Sequence, residues 1–226
     1  MPKKSLKSQL RPPGGATAAL YFLEGEYCFQ SADESGLMEK FISPASVRAA
    51  FAKESLDSGW LPPGVNRYGS GAKGDWMVRW HAPAVYAVRL ADLKRPLLVP
   101  MPSLVWIGQR HNYFIFAARE AVFTPNATLY HAPLANVNSS GLICFGRNPH
   151  PDVAQGGFDA AWWTFWEASF NNDHSTGKSR CEPNGINRYL KKLSAEKAGI
   201  YPLEDLVSTN RTLNQVIETL TRRGNE

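Results

Sequence analysis

Cys144 and Asn136 are the two residues of this chain with the plainest joint chemical use. They stand eight residues apart in the stretch TLYHAPLANVNSSGLICFGRNPHP, residues 128–151, and Gly141 lies three before the cysteine. A thiolate is already nucleophilic and a good leaving group, so passing an acyl group through it as a thioester needs no paired histidine base. Such a transfer goes through an oxyanion, and a neutral amide donor can stabilise that charge without protonating the sulfur. The glycine permits a sharp turn and close approach of neighbouring chain, and Leu142 and Ile143 are expected to anchor the loop against a core. By residue type alone the simpler alternative stays open: cysteine as a small buried hydrophobe and asparagine as a turn residue.

The other reactive side chains are less well framed. His150 follows the cysteine by six residues, and His174 stands further on, after Asn171-Asn172-Asp173. The order Cys144, His150, His174, Cys181 fits no zinc-site spacing, so no metal is expected. Cys28 sits in an aromatic strand and reads as core, whereas Cys181 sits in a polar loop. The three cysteines form no C-x-x-C pair and are too few for a disulfide scaffold. His111 reads as a hairpin residue and His131, beside Tyr130, as part of a packing cluster. Gly69, Gly71 and Gly74 spell G-x-G-x-x-G, but they precede a strand instead of joining strand to helix, which excludes a phosphate loop, and no organic cofactor is expected.

The elements that must position these residues fall in a segregated order. Ala18 to Phe29 suits a strand pair around Glu24-Gly25. Ser43 can cap a helix that Pro44 opens, with Val47, Ala50, Phe51 and Ala52 as its apolar stripe, fading near 56–59. Residues 61–74 form a Pro/Gly loop. Strands follow over 75–118, with a hairpin loop at Gly108–Asn112, and consecutive strands favour an antiparallel meander. Residues 119–157 lack periodicity, and a long irregular stretch in a compact domain is commonly functional. Helical stripes then come from Phe158, Trp162, Phe165, Trp166 and Ser169, from Ile186, Tyr189, Leu190 and Leu193, and from Leu213, Val216, Ile217 and Leu220. Strands and helices segregated in this way predict an α+β fold.

Composition bounds the function. The chain has 226 residues, and its net charge of +5 comes mostly from Lys3, Lys4, Lys7 and Arg11, which precede the first acid. The remainder holds 21 bases against 20 acids, which argues against a broad surface wrapping nucleic acid. Residues 1–15 read as a basic disordered tail, able at most to make weak contact with nucleic acid or an acidic partner, and residues 16–226 as one domain. Residues 178–197 carry a local +4 that reads first as a solvated helix face. No apolar run is long enough to span a membrane and no secretory signal is evident, so a cytoplasmic location is expected.

The stretch around Cys144 resembles the active-site region of ubiquitin-conjugating (UBC-like) enzymes, in which a His-Pro-Asn element precedes the catalytic cysteine by the same interval. The closer resemblance is to the prokaryotic UBC-like family D, a branch that includes a component of the plasmid-associated PRTRC system. Pro133-Leu134-Ala135-Asn136-Val137, Gly141, Cys144 and Gly146 fit its signature, and Phe165–Phe170 is similar to its aromatic stretch. The chain departs from the usual His-Pro-Asn element at Leu134 and Ala135, which stand in the places of His and Pro. The resemblance implies a UBC-like fold, an antiparallel meander flanked by helices, with N- and C-terminal helical additions. It implies Cys144 as the thioester carrier, Asn136 as oxyanion stabiliser or loop holder, and His174 or His150 as the residue that assists the acceptor. The implied partners are a ThiF-like activating enzyme and a ubiquitin-like protein. The alternative is a non-catalytic UBC-like scaffold in plasmid maintenance, binding nucleic acid or protein weakly through basic segments.

Overall fold

Six antiparallel strands form the largest sheet in the computed structural model, which describes residues 16–23, 26–33, 36–51, 64–70 and 74–221. The chain divides into two compact units, Met1–Trp60 and Leu61–Glu226. In the first, β1 (Ala18–Leu23), β2 (Glu26–Asp33) and β3 (Gly36–Ile42) form an antiparallel sheet, followed by α1 (Pro44–Phe51). The Ser43 hydroxyl accepts the Ser46 amide at 3.1 Å, the side-chain cap its residue type favours. Beyond the expected strand pair there is a third strand, β3, whose Glu39 and Lys40 interrupt any apolar alternation. The basic tail, the turn at Glu24-Gly25, the far end of the first helix and residues 61–63 and 71–73 of the expected Pro/Gly loop lie outside the described residues.

In the second unit the order across the sheet is β11-β10-β9-β8-β5-β4. These are β4 (Val65–Gly69), β5 (Trp76–His81), β8 (Ser103–Gln109), β9 (Asn112–Ala118), β10 (Thr128–His131) and β11 (Ser208–Thr212). Between β5 and β8 the chain makes a separate two-stranded ribbon, β6 (Ala84–Val88) with β7 (Leu97–Met101). The β8–β9 hairpin is tighter than its sequence implies. Gln109 pairs with Asn112, so only Arg110 and His111 form the turn, and Arg110 takes φ 49°.

The sheet is covered on both faces, which is why β8 and β9 read as near-continuous apolar runs. Leu104, Trp106, Tyr113 and Ile115 share one core with Phe158, Trp162, Phe165 and Trp166 of α2 (Gly157–Glu167) and with Ile186, Leu190 and Leu193 of α3 (Ile186–Ala195). Val105, Ile107, Phe114 and Phe116 point the other way, onto Leu213, Val216 and Ile217 of α4 (Leu213–Thr221). The alternation along β8 and β9 thus sorts adjacent residues into two cores. Each fully buried large side chain contributes roughly 1.5–3 kcal/mol. The fold is a mixed α/β one with mostly antiparallel sheets and few helices, consistent with the α+β expectation.

Three strands of this sheet arise where periodicity gives no signal. β4 lies within residues 61–74, expected to be a Pro/Gly loop, and is formed by pairing with β5. β10 has only four residues inside the stretch expected to be irregular. β11, STNRT, is wholly polar, and it pairs at the sheet edge through a register shift between Leu129 and Tyr130. An edge strand needs little apolar content because one side of its backbone faces away from the ladder.

Candidate active site

The cysteine loop is built onto the edge of β9. β10 pairs with β9 only at Ala117 and Phe116, leaving the rest of that edge open. Residues 141–143 fill it: the Ile115 amide donates to the Gly141 carbonyl and the Ile143 amide to the Tyr113 carbonyl, each at 2.9 Å. Gly141 has φ +88°, and a Cβ there would collide with the ring of Phe116. Both its left-handed conformation and its lack of a side chain are therefore required. Asn138 fastens the turn, its Oδ1 accepting from the amides of Ser140 at 2.8 Å and Leu142 at 3.1 Å. Phe145 then inserts into the core, against Tyr113 and His150, so the chain is pinned on both sides of Cys144.

Cys144 itself is exposed. Its amide donates to the Asn136 carbonyl at 2.8 Å, so the expected pair is joined through the backbone. Asn136 is buried and held at φ 59°, a conformation asparagine tolerates better than most residues. Its amide donates to the Asp173 carbonyl at 2.8 Å, and its side-chain Nδ2 donates to the Ser169 carbonyl at 3.1 Å. The second Nδ2 proton has no protein acceptor among the described residues. Asn136 thus ties the cysteine loop to the turn that follows α2. Leu134 and Ala135, at the positions of the usual His and Pro, are fully buried. Core packing there, with Asn136 and Asn138, holds the loop.

A pocket of about 350 Å³ opens at Cys144, and Asn136, Arg147, Asn148, Asn171 and Asp173 line it too. Asp173 was visible in the sequence only as part of a polar turn. Its carboxylate is oriented by the Asn171 side chain, whose Nδ2 donates to Asp173 Oδ2 at 2.8 Å. Neither histidine lines this pocket. The ring of His150 lies 5.1 Å from that of Phe145, and its carbonyl accepts from His111 Nδ1 at 2.8 Å. His174, with φ 53°, lines a neighbouring pocket together with His131 and Lys178.

The other two thiols are differently placed. Cys28 belongs to the first unit and is fully buried; burial, and then the charge of Glu39, push its thiol up. Cys181 is exposed, but a hydrogen bond to the Asp205 carboxylate, with burial and the Asp205 charge, keeps its proton on. The local +4 of residues 178–197 is not wholly a solvated face. Lys191 bonds Asp92 at 2.6 Å, Arg188 meets Glu182 at 3.4 Å, and Lys178 is only 3% exposed.

The site is thus an exposed cysteine on a loop laid along an antiparallel sheet, with a buried asparagine behind it. Residues 38–209 match the model of prokaryotic E2 family D, and the chain belongs to that family. Membership gives it a ubiquitin-conjugating-like role and, as classes of partner, ubiquitin-like modifiers and activating enzymes. No curated protein matches the chain, and no solved structure matches it. Among the described residues no helix is long and apolar enough to cross a membrane.

Proposed function

We propose that the protein is a UBC-like carrier that holds an activated ubiquitin-like protein as a thioester on Cys144. The observation that carries this is the exposed Cys144 at a pocket whose polar lining includes Asn136 and Asp173, within a chain of this family. The Cys144 thiolate attacks the thioester carbonyl presented by a ThiF-like activating enzyme; the new C–S bond forms as the old one breaks and the enzyme's thiolate leaves. An acceptor amine, or another thiol, then attacks the same carbonyl and releases the Cys144 thiolate. In both steps the free N–H of Asn136 is the donor available to the oxyanion. For an amine acceptor the proton passes to Asp173, the carboxylate of this pocket. His174 adjoins Asp173 in the chain and His150 packs behind Phe145, so both serve as comparison variants for that role.

The same signature, Pro133 to Gly146, supports a finer assignment to the plasmid-associated PRTRC system, as its protein B, acting in the cytoplasm as a single UBC-like domain with terminal extensions. A ThiF-like gene beside this one is then expected. The burial of Leu134 and Ala135 where ubiquitin-conjugating enzymes usually have His and Pro favours a second reading, a non-catalytic scaffold. Weak nucleic-acid contact through the basic tail would belong to it, and would weaken steeply with added salt.

The test uses the purified chain, its neighbouring activating enzyme, ATP and the ubiquitin-like protein on a non-reducing gel. A thiol-sensitive adduct is expected that disappears in Cys144→Ala and persists in Cys28→Ala and Cys181→Ala. No adduct under conditions in which the activating enzyme itself loads, or one that survives Cys144→Ala, leaves the scaffold. Once loading is seen, Asp173→Asn is expected to leave it intact while slowing discharge to an amine by ~10²-fold. A similar loss in His174→Gln or His150→Gln, with Asp173→Asn unaffected, moves the proton-accepting role to that histidine.

A further inference from the structure

Behind the cysteine loop lies a second pocket, of about 340 Å³, whose lining contains a lysine, two histidines and hydroxyls and no carboxylate. Its most buried polar group is Lys178, only 3% exposed. The Nζ donates one hydrogen bond, to the Asn138 carbonyl at 3.2 Å, which leaves two of its three N–H donors unused among the described residues. No acid offsets its charge: burial is what pushes the amine down, to about 8, with no carboxylate contributing. A buried ammonium without a counter-ion is costly, and folded chains normally pair it.

The neighbours repeat the pattern. His131 extends from β10 into the same pocket, and its Nδ1 is buried with no partner. Burial, then the charges of Lys178 and Arg211, hold its imidazole below the usual range. Ser139 and Thr176 line the mouth, and their hydroxyls make no hydrogen bond with the described residues. His174 completes a set of nitrogen and hydroxyl donors converging on one space. The nearest buried carboxylate of this region, Asp205, is already engaged by Tyr201 at 2.6 Å, Ser179 at 2.7 Å and the Cys181 amide at 2.8 Å.

We propose that this pocket is an oxyanion-binding site, in which Lys178 and His131 receive a carboxylate or a phosphate group. An anion there supplies the missing counter-charge, fills the two free Nζ donors and partners His131. Charge-assisted hydrogen bonds of this kind are about twice as strong as neutral ones. The site is separate from the thioester chemistry, because Cys144 lines a different pocket. It shares with that chemistry only the chain segments 136–138 and 173–174, which border both spaces. An occupant would brace the segment that carries Asp173.

The full chain is titrated with inorganic phosphate and with acetate, each against chloride at matched ionic strength, while the imidazole signals of His131 and His174 are followed by NMR. Saturable shifts of both signals are expected with at least one anion, and the stronger of the two identifies phosphate or carboxylate. Lys178→Met keeps the side chain's length and removes the uncompensated charge, so it is expected to fold; it should weaken binding by about tenfold or more. His131→Gln, which retains polar shape, should weaken it less, and Cys144→Ala should leave it unchanged. No saturable response beyond chloride with either anion overturns the proposal, as does equal affinity in folded Lys178→Met. Because Cys144→Ala separates the two sites, failure here leaves the thioester reading standing, and the reverse also holds.

Discussion

At the scale of single residues, the site depends on two backbone conformations that most side chains resist. Gly141 combines φ +88° with contact against the Phe116 ring, so Gly141→Ala meets both a strained backbone and an overpacked core. A loss of about 2–4 kcal/mol is expected in denaturant unfolding, with slower reaction of Cys144 toward a thioester than in the parent. An unchanged midpoint would mean that the loop shifts freely, and the argument for a fixed cysteine would fail. Asn136 offers a finer cut, because its Nδ2 bonds the Ser169 carbonyl while its backbone bonds Cys144. Asn136→Asp keeps the shape but turns a donor toward that carbonyl into a second acceptor. It is expected to cost about 2 kcal/mol and to loosen the 169–173 turn, seen as faster amide exchange at Asn171 and Asp173.

At the scale of elements, much of the second unit can be read from spacing. The stripes of α2, α3 and α4 mark helices because burial against one sheet face enforces a 3.6-residue period. The central strands β8 and β9 are legible instead as apolar runs, because the sheet is covered on both faces. β3, β4, β10 and β11 are not: they are held by backbone pairing, which residue type records poorly. The site divides similarly. Cys144, Asn136 and Gly141 could be found by interval, but Asp173 reaches the pocket only because the turn after α2 folds back onto Asn136. Lys178 reads in the sequence as part of a solvated basic face, since burial of a lone lysine has no local signature. The loop bearing His174 and Lys178 is anchored by Asp205, which is 1% exposed. Burial works against its charge, but hydrogen bonds from Tyr201, the Cys181 amide and Ser179 outweigh it and hold the carboxyl below its usual range. Asp205→Ala strands those donors and is expected to cost about 3 kcal/mol, with Asp205→Asn recovering part of it. Equal stability of the two variants would show that the anchoring lies elsewhere.

At the scale of the whole molecule, buried bases set how stability responds to pH. His81 stacks on Trp162 with centroids 3.8 Å apart, and burial, followed by the charge of Arg79, pushes it down to about 4. Above about pH 6.5 it is neutral folded or unfolded. As the pH falls from there toward about 4, the unfolded chain takes up a proton that the folded one refuses, so stability is lost across that window. His81→Phe is expected to flatten this slope. Lys178 governs the alkaline side. Its amine is held at about 8, below the 10.5 of an exposed lysine. Below pH 8 it is charged in both states and the buried charge weighs fully on the fold. Between about 8 and 10.5 the folded form sheds the proton first, and that burden disappears. Comparing the chain with Lys178→Met isolates this effect, because titration of the tyrosines and of the other thiols is common to both. In a buffer free of oxyanions, Lys178→Met is expected to be the more stable at pH 7 by about 2–3 kcal/mol, less the lost bond to Asn138, with the difference shrinking as the pH passes 8. Saturating the bound anion should narrow or reverse the gap at pH 7, since a ligand that binds only the folded parent stabilises it by mass action. A gap that is independent of both pH and anion would mean that the ammonium is solvated, and the buried cation on which the second pocket rests would be absent.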